Sequence, residues 1–226
     1  MFERFKLLVD GKFENIQSKK VLVIGLGGVG SYVVESLVRS GIINITIVDN
    51  DTIDISNLNR QLMTNINNIG KYKTDELKKR IKSINNECNV KCETTFLDDS
   101  NISSIVTSDY DYVVDACDTI RTKIALIKIC DQLSIKLISA MGTGNKMDPS
   151  KLEVTDIYKT TYDPLAKIIR KECRKHKIKH LKVVCSKEKP IKSHIKKIPS
   201  NSFVPATAGL LIASYIINDI VGDINV

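Results

Sequence analysis

The stretch "VLVIGLGGVGS", residues 21–31, decides the fold, because an apolar run breaks there into closely spaced glycines. Gly25, Gly27 and Gly30 fit the pattern G-x-G-x-x-G, which joins a buried strand to the first turn of a helix. In that pattern the first glycine allows a tight turn, the second lets the backbone approach a phosphate, and the third lets helix and strand pack closely. With Gly28, which lies in the same turn, these residues form a candidate phosphate-binding loop at a helix N-terminus.

Apolar runs and helical patterns alternate through the first 140 residues. Four strands are predicted, over 20–25, 44–49, 111–116 and 135–140. Three helices are predicted between them, over 31–40, 74–84 and 120–133. Strands that alternate with helices favour a parallel sheet with right-handed crossovers. We therefore predict one Rossmann-like α/β domain over residues 1–226, with a mostly parallel sheet and flanking helices.

A C-terminal extension of strands and a helix is predicted after this core. The strands are expected over 152–158 and 181–186, with a helix between them. Asp163 is expected to cap this helix and Pro164 to occupy its first position. Its apolar stripe is predicted to consist of Leu165, Ile168 and Ile169.

Two segments complete the chain. Residues 187–202 are too polar to bury and are predicted to form a long, mobile, basic crossover loop. Residues 203–222 are apolar, but Pro205, Asn218 and Asp219 leave about a dozen uninterrupted positions where a membrane span needs about 20. A buried helix is therefore predicted, and no integral membrane segment.

The charge of the chain is unevenly distributed. The formal net charge is +8, but residues 151–200 hold 15 of the 34 Lys and Arg and 5 of the 26 Asp and Glu, a local balance of +10. Such an excess suits a surface for a polyanion. The N-terminus lacks the apolar centre of a signal peptide, and the six cysteines contain no C-x-x-C pair, so we predict a reduced, cytoplasmic protein.

Charged side chains follow the predicted strand ends. Asp49 lies 19 residues past Gly30, near the roughly 20 expected for a carboxylate that binds a ribose hydroxyl. A nicotinamide or flavin enzyme fits these features equally well. Such an enzyme does not need Arg60 and Lys73, which we expect to be partly exposed. Together with Asp118, placed at the end of another strand, they are predicted to form a triphosphate clamp with a metal ligand.

Four motifs within residues 21–123 resemble the ATP-binding motifs of the ubiquitin-activating-enzyme superfamily, whose bacterial members include ThiF and MoeB: "GLGGVGS", "VDNDTIDISNLNRQ", "GKYKTDE" and "DACDTIRTK". The resemblance implies ATP as the nucleotide and adenylation of a carboxylate. It implies that Asp49 binds the ribose, that Arg60 and Lys73 bind the phosphates, and that Asp118 positions Mg²⁺. The nucleotide-binding set is completed by the loop glycines, Asp51 and Asn57.

The second half of the chain resembles the tRNA threonylcarbamoyladenosine dehydratase branch of that superfamily, in "MGTGNKMDPSKLEVTDIYKT", "DPLAKIIRKECRKH", "LKVVCSKEKPIK" and "FVPATAGLLIASYII". In that branch ATP activates the threonine carboxylate of a modified adenosine beside the tRNA anticodon. The carboxylate then closes on the ureido group with loss of water. The resemblance implies this tRNA as substrate, with Arg170, Lys171 and Arg174 among the residues that follow its phosphates.

Other functions stay open at this point. The main alternative is a ThiF- or MoeB-like adenylyltransferase that activates the C-terminal glycine of a sulfur-carrier protein, although the zinc-binding C-x-x-C pairs of many such members are absent from this sequence. A nucleotide-sensing or RNA-binding module without turnover is the non-enzymatic alternative. A cysteine desulfurase or sulfur-acceptor system is a possible partner.

The resemblance also implies different roles for three segments of the chain. Arg4 falls where the superfamily has an arginine donated to the neighbouring subunit's ATP, so a homodimer is expected in which Arg4 is catalytic. Residues 1–19 would then reach the partner subunit, 20–146 would form the nucleotide-binding core, and 147–226 would face the tRNA.

A cysteine that some relatives carry in the crossover loop is missing. Asn201 and Ser202 occupy that region, and Cys185 is the nearest thiol. Lys182 and Lys187 lie near Cys185 in sequence and could lower its pKa. We nevertheless favour a structural role for Cys185, so no thioester intermediate is expected.

Overall fold

Seven strands form a single sheet in the computed structural model, which describes residues 1–191 and 198–222. The strands are β1 (Lys20–Ile24), β2 (Asn44–Val48), β3 (Asn89–Glu93), β4 (Tyr112–Asp115), β5 (Lys136–Ala140), β6 (Leu152–Asp156) and β7 (Lys182–Ser186). Their spatial order is β3-β2-β1-β4-β5-β7-β6. All neighbours pair in parallel except β6 and β7. The predicted α/β class with a mostly parallel sheet is confirmed.

Helices cover both faces of this sheet. They are α1 (Glu3–Leu8), α2 (Phe13–Ser18), α3 (Gly30–Arg39), α4 (Lys73–Ile84), α5 (Ile102–Ile105), α6 (Ile120–Leu133), α7 (Pro164–Lys175) and α8 (Phe203–Val221). The helices α3, α4 and α8 bury Val33, Leu77 and Ile212 in one core. On the other face α6 buries Leu126 and α7 buries Ile169. Because the central strands are covered on both sides, their sequences read as continuous apolar runs.

The order in which strands are added to the sheet changes side at β1. From β1 the chain passes to β2 on one side, and later returns to β4 on the other. Ile24, the last residue of β1, is level with Val48 of β2 and Asp115 of β4. The carboxyl ends of these strands therefore meet at one edge, where doubly wound sheets bind their ligands. Every candidate nucleotide-binding residue follows one of these ends.

Helix α8 lies against the sheet. It is long and apolar enough to cross a membrane by length and composition. Its Ala208, Ile212 and Ile216 are fully buried in the protein core. Near its end, the Asp219 carboxylate accepts hydrogen bonds from the Tyr112 hydroxyl at 2.6 Å and the Lys136 ammonium at 2.7 Å. These contacts agree with the predicted buried helix.

Some predicted details are wrong. The sequence indicated neither β3 nor the short helices α1, α2 and α5. On α7, Ile168 is exposed, and the buried stripe consists of Ala166, Ile169 and Cys173. Asp163 does cap α7, since its carboxylate accepts the Ala166 N–H at 2.9 Å. Residues 192–197 of the predicted mobile basic loop lie outside the described residues.

Candidate functional site

Two glycines allow the close packing at the start of the site. Gly25 has a φ of +86°, and a Cβ there would lie 2.7 Å from the backbone of Ala116. A Cβ on Gly30 would lie 1.8 Å from the carbonyl oxygen of Gly25. No side chain fits at either position, so β1, α3 and the loop after β4 can approach one another only with glycine here.

The glycine loop has backbone donors that no described residue accepts. The N–H groups of residues 27–30 donate to no other described residue, and a Cβ on Gly27 would meet nothing closer than the Gln61 side chain at 3.9 Å. Free N–H groups at the start of a helix attract anions. The Ser31 hydroxyl fixes the loop, because it donates to Gly27 O at 2.7 Å and accepts the Leu62 N–H at 3.2 Å. The loop therefore fits a phosphate chain.

Asp49 joins the glycine loop to the segment after β2 through its two carboxylate oxygens. It accepts the Leu26 N–H at 2.7 Å and the Asp51 N–H at 2.8 Å. Its side chain is 8% exposed. Burial raises the pKa of Asp49, while the nearby Lys73 ammonium acts in the opposite direction. The sequence indicated a ligand-binding carboxylate here but not this structural role.

Lys73 is the first residue of α4, and it is buried. Its Nζ donates to Asp51 Oδ2 at 2.6 Å and lies 3.8 Å from Asp49 Oδ1. The expectation that Lys73 is partly exposed is therefore wrong, since its side chain is 6% exposed. Two carboxylates that follow β2 draw the ammonium inward and compensate for its loss of hydration. The result is a cation fixed at the edge of the sheet.

Arg60 lies beside the glycine loop and is half-buried, as expected. Its stem passes over Gly28, whose added Cβ would lie 3.3 Å from Arg60 Cγ. Its Nη1 donates to Ser56 O at 2.7 Å and to Asn59 Oδ1 at 2.9 Å, both neutral acceptors. Asn57 completes the capping box of the preceding short helical turn, because its Oδ1 accepts the N–H of the capping residue Asp54 at 3.1 Å. The arginine thus keeps its charge available for an anion.

Asp118 lies on the same edge, but in the loop after β4 and not at the strand end. The strand ends at Asp115, and Asp118 is exposed and accepts a hydrogen bond from the Thr119 hydroxyl at 3.5 Å. No group of three or more His, Cys, Asp or Glu that could hold a metal occurs among residues 1–191 and 198–222. A Mg²⁺ ion in nucleotide enzymes often relies on one or two carboxylates and the phosphates themselves. The exposed carboxylate of Asp118 fits that arrangement.

A buried ion pair supports this loop and was not predicted. Lys123 and Asp115 are both fully buried, with Nζ 3.1 Å from each carboxylate oxygen. The ammonium also donates to Ala140 O at 2.8 Å, and the Ser139 hydroxyl donates to Asp115 at 2.5 Å. The Cys117 thiol donates to the same carboxylate at 3.0 Å. The sequence signals for this pair were Asp115 at the end of an apolar strand and Lys123 within the helix that follows it.

A second buried ion pair joins the loop after β5 to α7. The Lys146 ammonium lies 2.8 Å from Asp163 Oδ2, and both side chains are 1% exposed. Lys146 also donates to Gly142 O. Because Asp163 caps α7, this pair fixes the start of that helix at the carboxyl edge of β5. The sequence indicated the cap but not the lysine.

The thiol of Cys185 lies within the sheet and is not activated. Cys185 is buried in β7, and this burial raises its pKa to about 12, with the Asp163 carboxylate contributing. The expected lowering by Lys182 and Lys187 is wrong. Lys187 pairs instead with Glu153 at 2.6 Å.

The basic residues of α7 differ in their exposure and in their contacts within the chain. Arg170 is half-buried, and its Nη1 donates to Thr160 O at 2.7 Å and to Thr160 Oγ1 at 2.6 Å. The guanidinium of Arg170, which the resemblance placed along the tRNA phosphates, is therefore already bonded within this chain. Lys171 is exposed, and Arg174 is exposed with its guanidinium 5.8 Å from the Tyr158 ring centroid.

The N-terminal helix carries Arg4 on the surface of the chain. Arg4 is exposed on α1, and the neighbouring Leu7 and Leu8 are also largely exposed. Their exposure leaves an apolar face on α1 without cover from the described residues of this chain.

Comparison with known proteins identifies the group to which this chain belongs. The sequence profile of the ThiF family matches residues 3–225. The chain belongs to the ThiF family. A Bacillus subtilis member named tRNA threonylcarbamoyladenosine dehydratase is 39% identical over all of this chain and 96% of its own length. A member with the same name from Haemophilus influenzae is 40% identical over 75% of this chain and 65% of its own length.

A solved ThiF-family structure has the same fold. The crystal structure of the E. coli tRNA N6-threonylcarbamoyladenosine dehydratase TcdA in complex with ATP superposes with a TM-score of 0.91. It is 31% identical, and the match covers 97% of this chain and 93% of that chain. The same enzyme has been solved with AMP. The resemblance read from the sequence motifs is confirmed at the level of the family and of this branch.

Proposed function

We propose that this protein is an ATP-dependent tRNA threonylcarbamoyladenosine dehydratase. One observation carries the proposal. The chain is similar over its full length to a dehydratase, and it places a phosphate loop, Arg60 and Lys73 at one edge of the sheet. The substrate is a tRNA that carries threonylcarbamoyladenosine. The enzyme adenylates the threonine carboxylate of that nucleoside and cyclises it.

Arg60 and Lys73 stabilise the charge that develops during adenylation. The substrate carboxylate attacks the α-phosphorus of ATP, and pyrophosphate leaves. Arg60 lies beside the glycine loop and is half-buried, and Lys73 lies beside Asp49 and is buried, so their fields are less screened than those of surface charges. The ureido nitrogen of the same nucleoside then attacks the activated carbonyl carbon and releases AMP. A well-placed internal nucleophile has an effective molarity on the order of 10⁵ M or more, so no covalent enzyme intermediate is needed.

The remaining polar residues position the nucleotide. We assign Asp49 to the ribose, where it would act in addition to holding Leu26. Asp51 contributes by fixing the Lys73 ammonium, and Asn57 by ordering the turn that carries Arg60. Gly27, Gly28 and Gly30 supply N–H groups to the phosphates, whereas Gly25 provides the turn and donates its N–H to Val48 O.

Magnesium is the metal that we assign to this site. Mg²⁺ would neutralise phosphate charge and draw electrons from the α-phosphorus. The exposed carboxylate of Asp118 is the residue that would hold it, with phosphate oxygens completing its coordination. The buried pair of Asp115 and Lys123 would keep the loop of Asp118 in place.

A homodimer with composite sites is the assembly that we propose. Arg4 on α1 would reach the ATP of the partner subunit, and the exposed Leu7 and Leu8 would be covered there. In this assignment residues 1–19 serve the partner, 20–146 bind the nucleotide, and 147–226 face the tRNA. The cytoplasm, where tRNA is modified, is the proposed location, and a cysteine desulfurase or sulfur acceptor is a proposed partner.

The decisive experiment uses purified protein and tRNA that carries the linear nucleoside. With ATP and Mg²⁺, nucleoside mass spectrometry is expected to show loss of one water from threonylcarbamoyladenosine, together with release of AMP and pyrophosphate. The Arg60→Met variant serves as the inactive control. ATP–pyrophosphate exchange that depends on a glycine-tailed sulfur carrier, with no effect of tRNA, would refute the proposal in favour of an adenylyltransferase.

A further inference from the structure

We propose that Tyr162 is a stacking platform for an unpaired base of the tRNA anticodon loop. This inference rests on the proposed function and names a surface that would hold the substrate. Tyr162 precedes α7, and 57% of its surface is exposed to solvent. The Lys189 ammonium lies over its ring, 5.1 Å from the centroid.

The backbone of Tyr162 is unusual for a bulky residue. Its φ is +57°, in the left-handed region that aromatic side chains rarely adopt. Such a conformation persists only where the surroundings impose it, and it occurs often at functional sites. Here the next residue, Asp163, imposes it, because its carboxylate both caps α7 and pairs with buried Lys146. The ring is therefore held outward at the expense of local strain.

Lys189 is held against the same loop by a different contact. The carboxylate of its neighbour Glu188 accepts the Met147 N–H at 3.0 Å and the Asp148 N–H at 2.9 Å. Lys146, which fixes Asp163, belongs to that same loop. Tyr162 and Lys189 are thus anchored independently to one segment, residues 142–148. These two anchors fix the backbone positions from which the Tyr162 and Lys189 side chains meet.

The position of the platform suits a substrate of this site. Residues 142–148 follow β5 at the carboxyl edge of the sheet, the edge that carries the glycine loop. A Cβ on Gly142 would lie 2.9 Å from Asp163 Oδ2, so the start of α7 lies directly against the end of β5. Lys189 covers one face of the Tyr162 ring, and the exposed remainder of the ring is available to a base.

The chemistry of the platform favours single-stranded RNA. An exposed aromatic ring with a cation beside it and an excess of lysine around it is the combination with which proteins bind unpaired nucleotides. Lys159, Lys167 and Lys187 are exposed on the segments next to the platform. A peptide would gain little from this surplus of positive charge, whereas a phosphate backbone is complementary to it.

Binding of an anticodon stem-loop RNA that carries threonylcarbamoyladenosine tests the inference. Removing a base–aromatic stack weakens binding by about 5-fold to 150-fold, which we expect for Tyr162→Ala. Tyr162→Asn is a second variant, since asparagine accepts the left-handed backbone and preserves the fold. Tyr162→Phe keeps the ring and is expected to bind within about twofold of the wild type.

The matched control is Lys182→Ala. Lys182 is also an exposed lysine above a tyrosine, 5.8 Å from the Tyr215 centroid, but it lies at the opposite edge of the sheet. We expect it to leave RNA binding unchanged, and Lys189→Ala to weaken it. Abasic substitution at each unpaired loop position should reveal one position whose loss weakens the wild type but not Tyr162→Asn.

Three outcomes overturn the inference: unchanged affinity in both Tyr162→Ala and Tyr162→Asn, an equal effect of Lys182→Ala, or abasic losses that are the same with and without the ring. If the wild type cyclises the nucleoside and one of these occurs, only the platform is refuted. If the wild type neither binds the RNA nor cyclises the nucleoside, the proposed function itself fails.

Discussion

Replacing Lys73 with methionine is expected to reduce both activity and stability. The variant keeps the apolar stem and removes the ammonium, which lies 3.8 Å from Asp49 Oδ1. At an effective dielectric constant of about 20, this separation corresponds to roughly 4 kcal/mol. The Asp51 contact adds little because that side chain is 57% exposed. Relief of the buried ammonium offsets part of the loss, so the free energy of unfolding should fall by about 2–3 kcal/mol at about pH 8.

The pH dependence of this loss identifies the partner. Burial raises the pKa of Asp49, and Lys73 opposes that rise. Without Lys73 the pKa rises further, so the folded state binds more protons than the unfolded state over a wider pH range. Stability then falls as pH rises through that range, and is regained as pH falls. The deficit of Lys73→Met should therefore be smaller at about pH 5 than at about pH 8.

Urea unfolding at the two pH values measures this difference, and turnover of the modified tRNA measures the second effect. Loss of one transition-state charge contact predicts about 10²-fold lower turnover. Arg60→Met is the control, because its guanidinium donates to neutral oxygens; it should lose similar activity with a stability change of about 0.5 kcal/mol or less. Equal deficits at both pH values would refute the coupling to Asp49, and near-wild-type turnover would refute the clamp.

Three further predictions follow from buried and exposed groups. Cys185→Ser should keep most dehydration activity while losing about 1–3 kcal/mol of unfolding free energy, since a hydroxyl replaces a buried thiol; complete loss of turnover in a folded, ATP-binding variant would restore a thioester route. Lys123→Met should cost about 3–5 kcal/mol because Asp115 is left buried and unpaired; an unchanged urea midpoint would contradict this. Neutralising three exposed lysines of α7 together should lower the salt slope of tRNA binding by about 2–3, with ATP binding intact; an unchanged slope would show that tRNA docks elsewhere. The lysines are Lys167, Lys171 and Lys175.

The parts of the fold that were predictable are those with strong local signals. Strands β1, β2, β4 and β5 are apolar throughout because helices cover both faces, so their sequences were unambiguous. Strand β3, "NVKCE", lies at the edge of the sheet and is half polar, and it gave no such signal. The cap at Asp163 was predictable because a capping residue followed by proline is a local pattern.

Features that depend on distant partners were not predictable. Lys73 is buried because two carboxylates more than 20 residues away converge on it, and nothing in its own neighbourhood indicates that. The guanidinium of Arg170 is bonded to the backbone carbonyl of Thr160, ten residues earlier in the chain. The same holds for Lys123 and Lys146, whose burial is possible only because the fold supplies a carboxylate to each.

Ser31 sets a limit on how this enzyme could be redesigned. One hydroxyl joins the glycine loop to the segment that carries Arg60, so neither can be re-aimed without moving the other. An engineer who reshapes the loop for a bulkier nucleotide would displace the arginine as well, and would need compensating changes near Leu62. Natural variation faces the same condition, because a tolerated change in one segment alters which residues are acceptable in the other. The two segments are thus constrained to vary together, although the residues that join them, Ser31 and Leu62, are 31 positions apart.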